Sequence, residues 1–504
     1  MEFDEYIGKT DPDGHFGHPE DFSNFIMWLK RFYDVQNYIS QKILGHLAVR
    51  TSVDGKFCSC SVSLSQGEAQ GFPLIKRISD STGLLEIDVP AGDWQIDVSH
   101  GFKVGGITET VTVPPNSTAS LEFPLETFMP LHGVISGDFH QHSIYSSPAY
   151  GGTDDVTDSP HEISLTDQAK GCGFSALSDH HNILGHGDWL GEASSSFTPI
   201  ISKEISTSNG HVMAMGVRHD VIYDIPPAKD RTAEIMQNEF LRITKDIRDS
   251  GGLPQLNHPY SESSATSWPQ EFCGILSAFD SIEIYNGAHP MLPGNCNHKG
   301  MKMWLDALKR GESLTATAGS DTHYRFPNQY EEIKREIFLI ITAVKAGFDK
   351  LPPSTTKRAE ILLKMYETSY PVFMEWIRCQ LGSAGIQNFV DLRSESAANA
   401  DTSVGSILSA VRSGKVFITN GPVMDIKVQG QGDITADMEI GSNRRVNNVK
   451  LHLSDGREIS GMVKHAGGHK YTCSITFPKN DAGWVVCTAG EMPFNFAVSN
   501  PFYF

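Results

Sequence analysis

The 504 residues are 39% apolar, with glycine and proline scattered evenly, which excludes a disordered chain and leaves room for roughly two to four folded domains. A net charge of -19, with no Lys/Arg cluster in any segment, argues against nucleic acid as a partner, because affinity for a phosphate backbone needs a basic face. A small-molecule substrate is expected instead. No apolar run approaches membrane-spanning length, and the acidic start MEFDEYIGKTDPDGHF has neither the basic n-region nor the apolar h-region of a signal peptide, so no membrane contact and a cytoplasmic location are expected.

In chain order, residues 1–44 contain an aromatic stretch in which Phe25, Trp28, Leu29 and Phe32 recur at helical spacing, predicting a helix docked on a neighbour. Residues 45–127 change to short alternating runs such as HLAVRTSV, LLEIDV and WQIDVS, broken by Asp-Gly, Thr-Gly and Ala-Gly turns; this predicts a small β-sandwich. The stretch from DVPAGDW to SLEFPL resembles carboxypeptidase-regulatory, transthyretin-like modules. Of eight cysteines, only Cys58 and Cys60 lie close together, at a spacing that puts both on one strand face, and neither a disulfide framework nor a zinc ribbon is legible.

Over residues 132–424, strand-like runs (VISGDFH, FSALSDH, TPIISKEIS, GLPQLNHP, DSIEIYNG, LTATAGSDTH) alternate with helical segments, the pattern of β/α units. Ser159, Pro160 and Glu162 form a capping-box start closed by Gly171, and a second helix is predicted from Thr232 to Asp249. Residues 326–402 are charged and helix-prone, read as an insertion into this domain. SVGSILSAVRSGKVFITNGP follows as helix and strand, and a second alternating β region runs over 425–504.

Of the 20 histidines, 13 lie between His132 and His323, the enrichment a metal centre needs. His140 and His142 are two apart, so on a strand both imidazoles point one way and can share an ion. His180, Glu204, His211, His258, Asp321 and His323 stand at or near the ends of successive strand-like runs. Burying so many ionisable groups together is costly unless cations bind them.

These runs resemble the polymerase-and-histidinol-phosphatase (PHP) superfamily over residues 132–425: GDFHQHS is similar to its first signature, SDH to the second, NHP to the third and GSDTH to the fourth. GKVFITNGP and SNPFYF resemble the carbaryl hydrolase-like branch. The resemblance implies an α/β fold, a PHP-type distorted (β/α)7 barrel, here with flanking all-β modules. It also implies a metal-dependent hydrolase binding two to three divalent ions, Zn, Mn or Fe, with His140, His142, Glu204 and Asp321 on one, Glu204 bridging to a second completed by His211 and His258, and His180 and His323 on a third or sharing the second. Where many relatives carry a Ser-Asp-Gly element or a further histidine after the first signature, this chain has Ser146-Ser147-Pro148, with Asp154 and Asp155 as substitutes.

Asp138 and Asp179, next to ligand positions, are candidates for fixing imidazole tautomers, and Glu283 and Asn286 in IEIYNG for facing the pocket. A metal-bridging hydroxide would attack the substrate, His323 or a metal-bound water would protonate the leaving oxygen, and Lys203 and Arg325 would meet a negative substrate group. No G-x-S-x-G elbow suggests a serine esterase. Small phosphoesters are the expected substrates, with carbamate or carboxyl ester hydrolysis as the alternative and a non-catalytic binding protein behind both.

Overall fold

The computed structural model describes residues 44–65, 75–152, 156, 158–207, 209–225, 230–260, 267–287, 296–323, 385–393, 400–479, 482–491 and 495–504. The helix expected over residues 1–44 lies outside them but for Leu44, as do Arg325, Asp154, Asp155 and most of the 326–402 insertion.

The first module has eight strands: β1 (Leu44–Val53), β2 (Lys56–Phe57), β3 (Ser61–Ser65), β4 (Ile75–Ile78), β5 (Leu84–Pro90), β6 (Gly92–Ser99), β7 (Ile107–Val113) and β8 (Thr118–Leu125). They form two four-stranded sheets, one with β1 between β5 and β8 and carrying β2, the other in the order β4-β3-β6-β7. Period-two alternation sends Leu47 and Val49 from one sheet, and Val62, Leu64, Trp94, Ile96 and Val98 from the other, into a single core. Each large side chain so buried contributes about 1.5–3 kcal/mol.

The central strands are β9 (Val134–Asp138), β10 (Phe174–Leu177), β11 (Thr198–Thr207), β12 (Gly210–Met215), β13 (Leu253–Asn257), β14 (Ser281–Asn286), β15 (Thr315–Gly319), β16 (Gln387–Asp391) and β17 (Val416–Thr419). The C-terminal region adds β18 (Val423–Gln429), β19 (Asp433–Gly441), β20 (Val449–Leu453), β21 (Glu458–Gly461), β22 (Lys464–Gly467), β23 (Lys470–Pro478), β24 (Trp484–Glu491), β25 (Asn495–Ser499) and β26 (Phe502–Tyr503). One 14-stranded sheet runs β15-β14-β13-β12-β11-β10-β9-β16-β17-β25-β24-β20-β21, with β26 beside β24, and a four-stranded sheet β18-β19-β23-β22 packs on its C-terminal part through Ile434, Met438, Leu451 and Val485.

This architecture corrects the expected α/β fold with a (β/α)7 barrel. Strand outweighs helix, 44% against 20%, and the large sheet is mixed. Only β9-β10-β11 and β13-β14-β15 pair in parallel; β11-β12-β13 and everything from β16 onward pair antiparallel. The physical reason is local. Where the sequence pattern suggested successive β/α units, the chain turns back on itself ahead of Gly210 (φ +114°) and pairs Thr207 with Gly210, making a hairpin with no helix between its strands. Strand β16, inside the range read as an insertion, lies between β9 and β17 in the sheet.

The helices that do form follow their end signals. Pro160–Ala169 carries the full Ser159/Glu162 capping box, and Ala233–Asp249 is capped by Thr232 and buries Met236, Phe240, Ile243 and Ile247. Among the described residues no helix is long and apolar enough to cross a membrane.

Strand β15 carries the end of the site segment, and side-chain amides bond its backbone in addition to β14. Asn388 of β16 accepts from Ala318 N (2.9 Å) and donates to Ala318 O (2.7 Å). Asn500 does the same to Ala316, at 2.7 and 2.9 Å. Both are buried, so each amide replaces a missing strand partner. Asn500→Ala should therefore leave a buried N–H and C=O unpaired and cost about 1–3 kcal/mol, read as a lowered midpoint in urea unfolding; an unchanged midpoint would show that water or a neighbour replaces the amide.

Candidate metal centre

Strand ends deliver the site. His140 and His142 follow β9, His180 follows β10, Glu204 lies in β11, His211 in β12, His258 follows β13, and Asp321 and His323 follow β15. Isolated bridges tie the extensions together, Gln141 to Thr322 and His180 to Glu204, and Ser206, His211 and Asn257 stand in register across β11-β12-β13. All eight side chains proposed as ligands meet here.

Glu204, fully buried, is the hub. Its Oε1 lies 3.3 Å from His140 Nε2, 3.1 Å from His211 Nδ1 and 3.3 Å from His258 Nε2; its Oε2 lies 3.0 Å from His180 Nδ1 and 3.6 Å from His142 Nε2. Asn257, which the sequence reading passed over, donates to Oε1 at 2.8 Å. Asp321 Oδ1 sits 3.2 Å from His140 Nε2 and 3.0 Å from His142 Nε2, and its Oδ2 accepts from Asn286 at 2.9 Å. Three donor groups lie with their ligand atoms within 4.8 Å of one another: His140, His142 and Asp321; His140, Glu204 and His258; and His142, His180 and His323.

Hydrogen bonds orient these rings. Glu283 Oε1 faces His140 Nδ1 at 3.0 Å, while its Oε2 accepts from His258 N at 2.8 Å. Ser146 Oγ donates to Asp179 Oδ1 (2.8 Å), accepts from His180 N (3.0 Å) and stands 3.0 Å from His142 Nδ1. With its own proton committed to Asp179, the hydroxyl can only accept from His142, so that ring carries its proton on Nδ1 and its lone pair on Nε2. Asp179 thus sets a tautomer through Ser146. Asp138 acts on backbone instead, accepting from His140 N and Ser320 N, each at 3.0 Å.

The electrostatics are those of a centre rich in electron pairs. Nε2 of His140 and Nε2 of His142 face each other at 3.2 Å, both against Asp321 Oδ1. Burial and the facing His180 and His323 push His142 down to about 3, so it is neutral. Burial opposes ionisation of Glu204 and Asp321, but the surrounding imidazoles outweigh it and hold both carboxylates well below their usual range. Burial likewise disfavours a charged His140, yet Asp321, Glu283 and Glu204 together raise it well above the ordinary histidine value. A proton there supplies positive charge that a cation would otherwise bring. Glu204 Oε2 and His258 Nδ1 are buried without a hydrogen-bond partner. A buried carboxylate oxygen without a hydrogen-bond donor, beside ring nitrogens that face one another and Asp321, fits divalent ions, and a donor set of imidazole and carboxylate suits Zn, Mn or Fe.

Strain concentrates in the same loops: His181, His258 and Asp321 have φ of +63°, +21° and +50°. His323 lies at the mouth, its side chain 24% exposed, with Nδ1 held by the Asp321 carbonyl (2.9 Å) and its ring stacked on His142.

Lys203 does not join this cluster. Alternation on β11 turns it to the opposite side from Glu204, where its ammonium bonds Asp220 (2.7 Å) and the Val221 carbonyl and lies over the Tyr223 ring.

No family model matches the chain, and neither does any curated protein. Among solved structures it is similar over 18% of its length to GBS52, the minor pilin of Streptococcus agalactiae, at 17% identity, 47% of that chain and a TM-score of 0.16. It is similar over 23% to the Bacillus anthracis TIE protein, at 14% identity, 20% of that chain and a TM-score of 0.15. An engineered protein is covered over 93% of its length by 73% of this chain, at 11% identity and a TM-score of 0.15. The first match spans about half the pilin's length, and overlaps this slight fix neither fold nor function.

Gly319 ends β15 directly beneath the centre. A Cβ there would stand 2.2 Å from His140 Cβ and 2.4 Å from Glu283 Oε1, so the two groups that share the Nδ1 contact would have to separate. Gly319→Ala should cost about 1–3 kcal/mol of stability and cut metal content at the same time; retention of full metal content by the variant would show that the His140–Glu283 pair can shift without loss of the site.

Proposed function

We propose that this chain is a metal-dependent hydrolase of small esters, with His140, His142, His180, Glu204, His211, His258, Asp321 and His323 holding two to three divalent ions. The observation that carries the reading is the convergence of five imidazoles on one buried carboxylate, one of whose oxygens is left without a hydrogen-bond donor. Similarity of GDFHQHS, SDH, NHP and GSDTH to PHP-superfamily signatures supports it. Such ions, when bound, make water acidic enough to be a nucleophile near neutral pH and act as Lewis acids toward an ester oxygen.

The protein's own groups divide the remaining work. Glu204 and Asp321 supply the negative charge that keeps cations in a buried place, and Glu283, Ser146 and Asn257 fix which atoms face inward. His323, the most exposed of the eight, is the proton donor of this reading when its Nε2 carries a proton rather than an ion. His323→Ala should then lower turnover by about 100-fold or more, with less effect on a substrate whose leaving group is a good anion, such as a nitrophenolate. Equal losses on good and poor leaving groups would remove His323 from proton transfer.

Phosphoesters are the substrate class that the superfamily resemblance implies. Hydrolysis of carboxyl esters or carbamates is the second reading, favoured by the commitment of Lys203 to Asp220: a neutral carbonyl needs less added positive charge than a transferring phosphoryl group. A paired assay of aryl phosphates against aryl acetates and N-methylcarbamates, with Zn, Mn and Fe each supplied, separates them. Turnover of phosphates sustains the first, turnover of carbamates alone replaces it with the second, and no turnover of any with metal bound defeats both.

Metal analysis of protein purified without chelator should give about two to three ions per chain that depend on this centre. Glu204→Gln should remove more metal than His211→Ala, since only the carboxylate meets every other ring in the cluster but His323; equal metal in Glu204→Gln and wild type would sink the hub assignment.

A further inference from the structure

The first β module carries a second donor group that the hydrolase reading does not use. Cys58, Cys60 and His100 present ligand atoms within 4.8 Å of one another. Their closeness is written into the sheet: Ser61 of β3 pairs with Ser99 of β6, so Cys60 and His100, one step beyond each, face across the same ladder. Cys58, two residues before Cys60, falls on the same side. Cys60 Sγ is 3.8 Å from His100 Nδ1.

The backbone under the two thiols is fixed before any ligand arrives. Thr51 donates to the Cys58 carbonyl (2.8 Å), and Ser79 Oγ accepts from Cys60 N (2.8 Å) while Ser79 N donates to the Cys60 carbonyl (3.0 Å). Thr51 and Ser79 join hydroxyls at 2.8 Å.

His100 turns Nδ1 toward this group, 3.0 Å from the Ser59 carbonyl and 3.8 Å from Cys60 Sγ. A neutral imidazole has one N–H and one lone pair, so the tautomer with its proton on Nε2 presents the Nδ1 lone pair beside the two sulfurs, as ligation needs.

We propose that Cys58, Cys60 and His100 bind a thiophilic divalent cation of the zinc class, two thiols giving up their protons as the ion binds. Two sulfurs with one imidazole select such an ion over Mg or Ca, and the Ser59 carbonyl or solvent completes the shell. The site lies on a seam: a Cβ on Gly101, next to His100, would come within 2.4 Å of the Lys170 carbonyl just past the same helix. An ion there ties the β module to the helix that leads into β10. The site is independent of the hydrolase reading.

Cobalt(II) tests it on the whole chain, reduced and stripped of metal. Among the described residues the first centre has no cysteine donor and no other cysteine belongs to a donor group, so a sulfur-to-cobalt charge-transfer band in the near ultraviolet that depends on Cys58 and Cys60 reports this site. The band should titrate to an intensity of one sulfur-bound cobalt per chain, persist in Glu204→Gln, vanish in Cys60→Ser and weaken at least tenfold in His100→Ala, and zinc should bleach it. Cys58→Ser, at a half-exposed position, guards against loss through misfolding, since it should also abolish the band while leaving the melting temperature of the metal-free protein unchanged. Absence of a sulfur band in reduced wild type, or a band that survives in Cys58→Ser/Cys60→Ser, overturns the proposal.

Discussion

Everything at the centre of this molecule depends on one buried carboxylate. Glu204 has no exposure and meets five imidazoles within 3.6 Å. An ionised carboxylate out of water is tolerable only with compensating positive charge and hydrogen bonds. The protein supplies one firm donor, Asn257, and otherwise surrounds Glu204 with rings whose charge depends on protons. The neighbouring Asp321 repeats the arrangement with His140 and His142. Two carboxylates and facing ring nitrogens in one buried space are a poor structural core unless positive charge offsets them.

Holding such a cluster in place requires rigidity behind it, and the sheet provides that. Strands β10 to β15 are buried along nearly their whole length, so each loop that carries a residue of the cluster springs from a packed stem. The amide pairs from Asn388 and Asn500 bond the backbone of β15, whose extension carries Asp321 and His323. Gln141, between the two first histidines, is held by Ser175, Asp167 and Ser178 as well as bridging to Thr322. The hydrogen bonds that orient the rings come from Glu283, Ser146 and Asp179, each anchored elsewhere. Strained backbone at His181, His258 and Asp321 is sustained by this frame.

The clustered side chains were legible in the sequence because His and acidic residues at the ends of successive apolar runs have few other reasons to recur. The supporting residues were less legible, since Ser146 and Asn257 are ordinary polar residues whose role appears only when their partners are placed. Lys203 misled for a simple reason. Adjacency in a strand means opposite faces, so the neighbour of a ligand is the residue least able to reach the same ion. The overall architecture was misread at a single kind of step. An apolar run followed by another looks alike whether a helix or a tight turn joins them, and the turn ahead of Gly210 reversed the strand direction that a barrel would require. Strand β16 was hidden because charged, helix-prone sequence precedes it and gives no boundary.

A mixed sheet nonetheless brings the same side chains to one place, and the register shows how. In a parallel pair, ligands must sit at the same strand end to meet. In an antiparallel pair, they must sit at opposite ends in sequence. Glu204 stands late in β11, His211 early in β12 and His258 just after β13. The alternation late, early, late is what two antiparallel steps demand, and the pairing of Ser206 with His211 and His211 with Asn257 delivers it. The position of His211 within its run, opening GHVMAM rather than closing it, is therefore the mark of the reversal left in the sequence. Convergence constrains which strand end each ligand occupies, and strand direction follows from that.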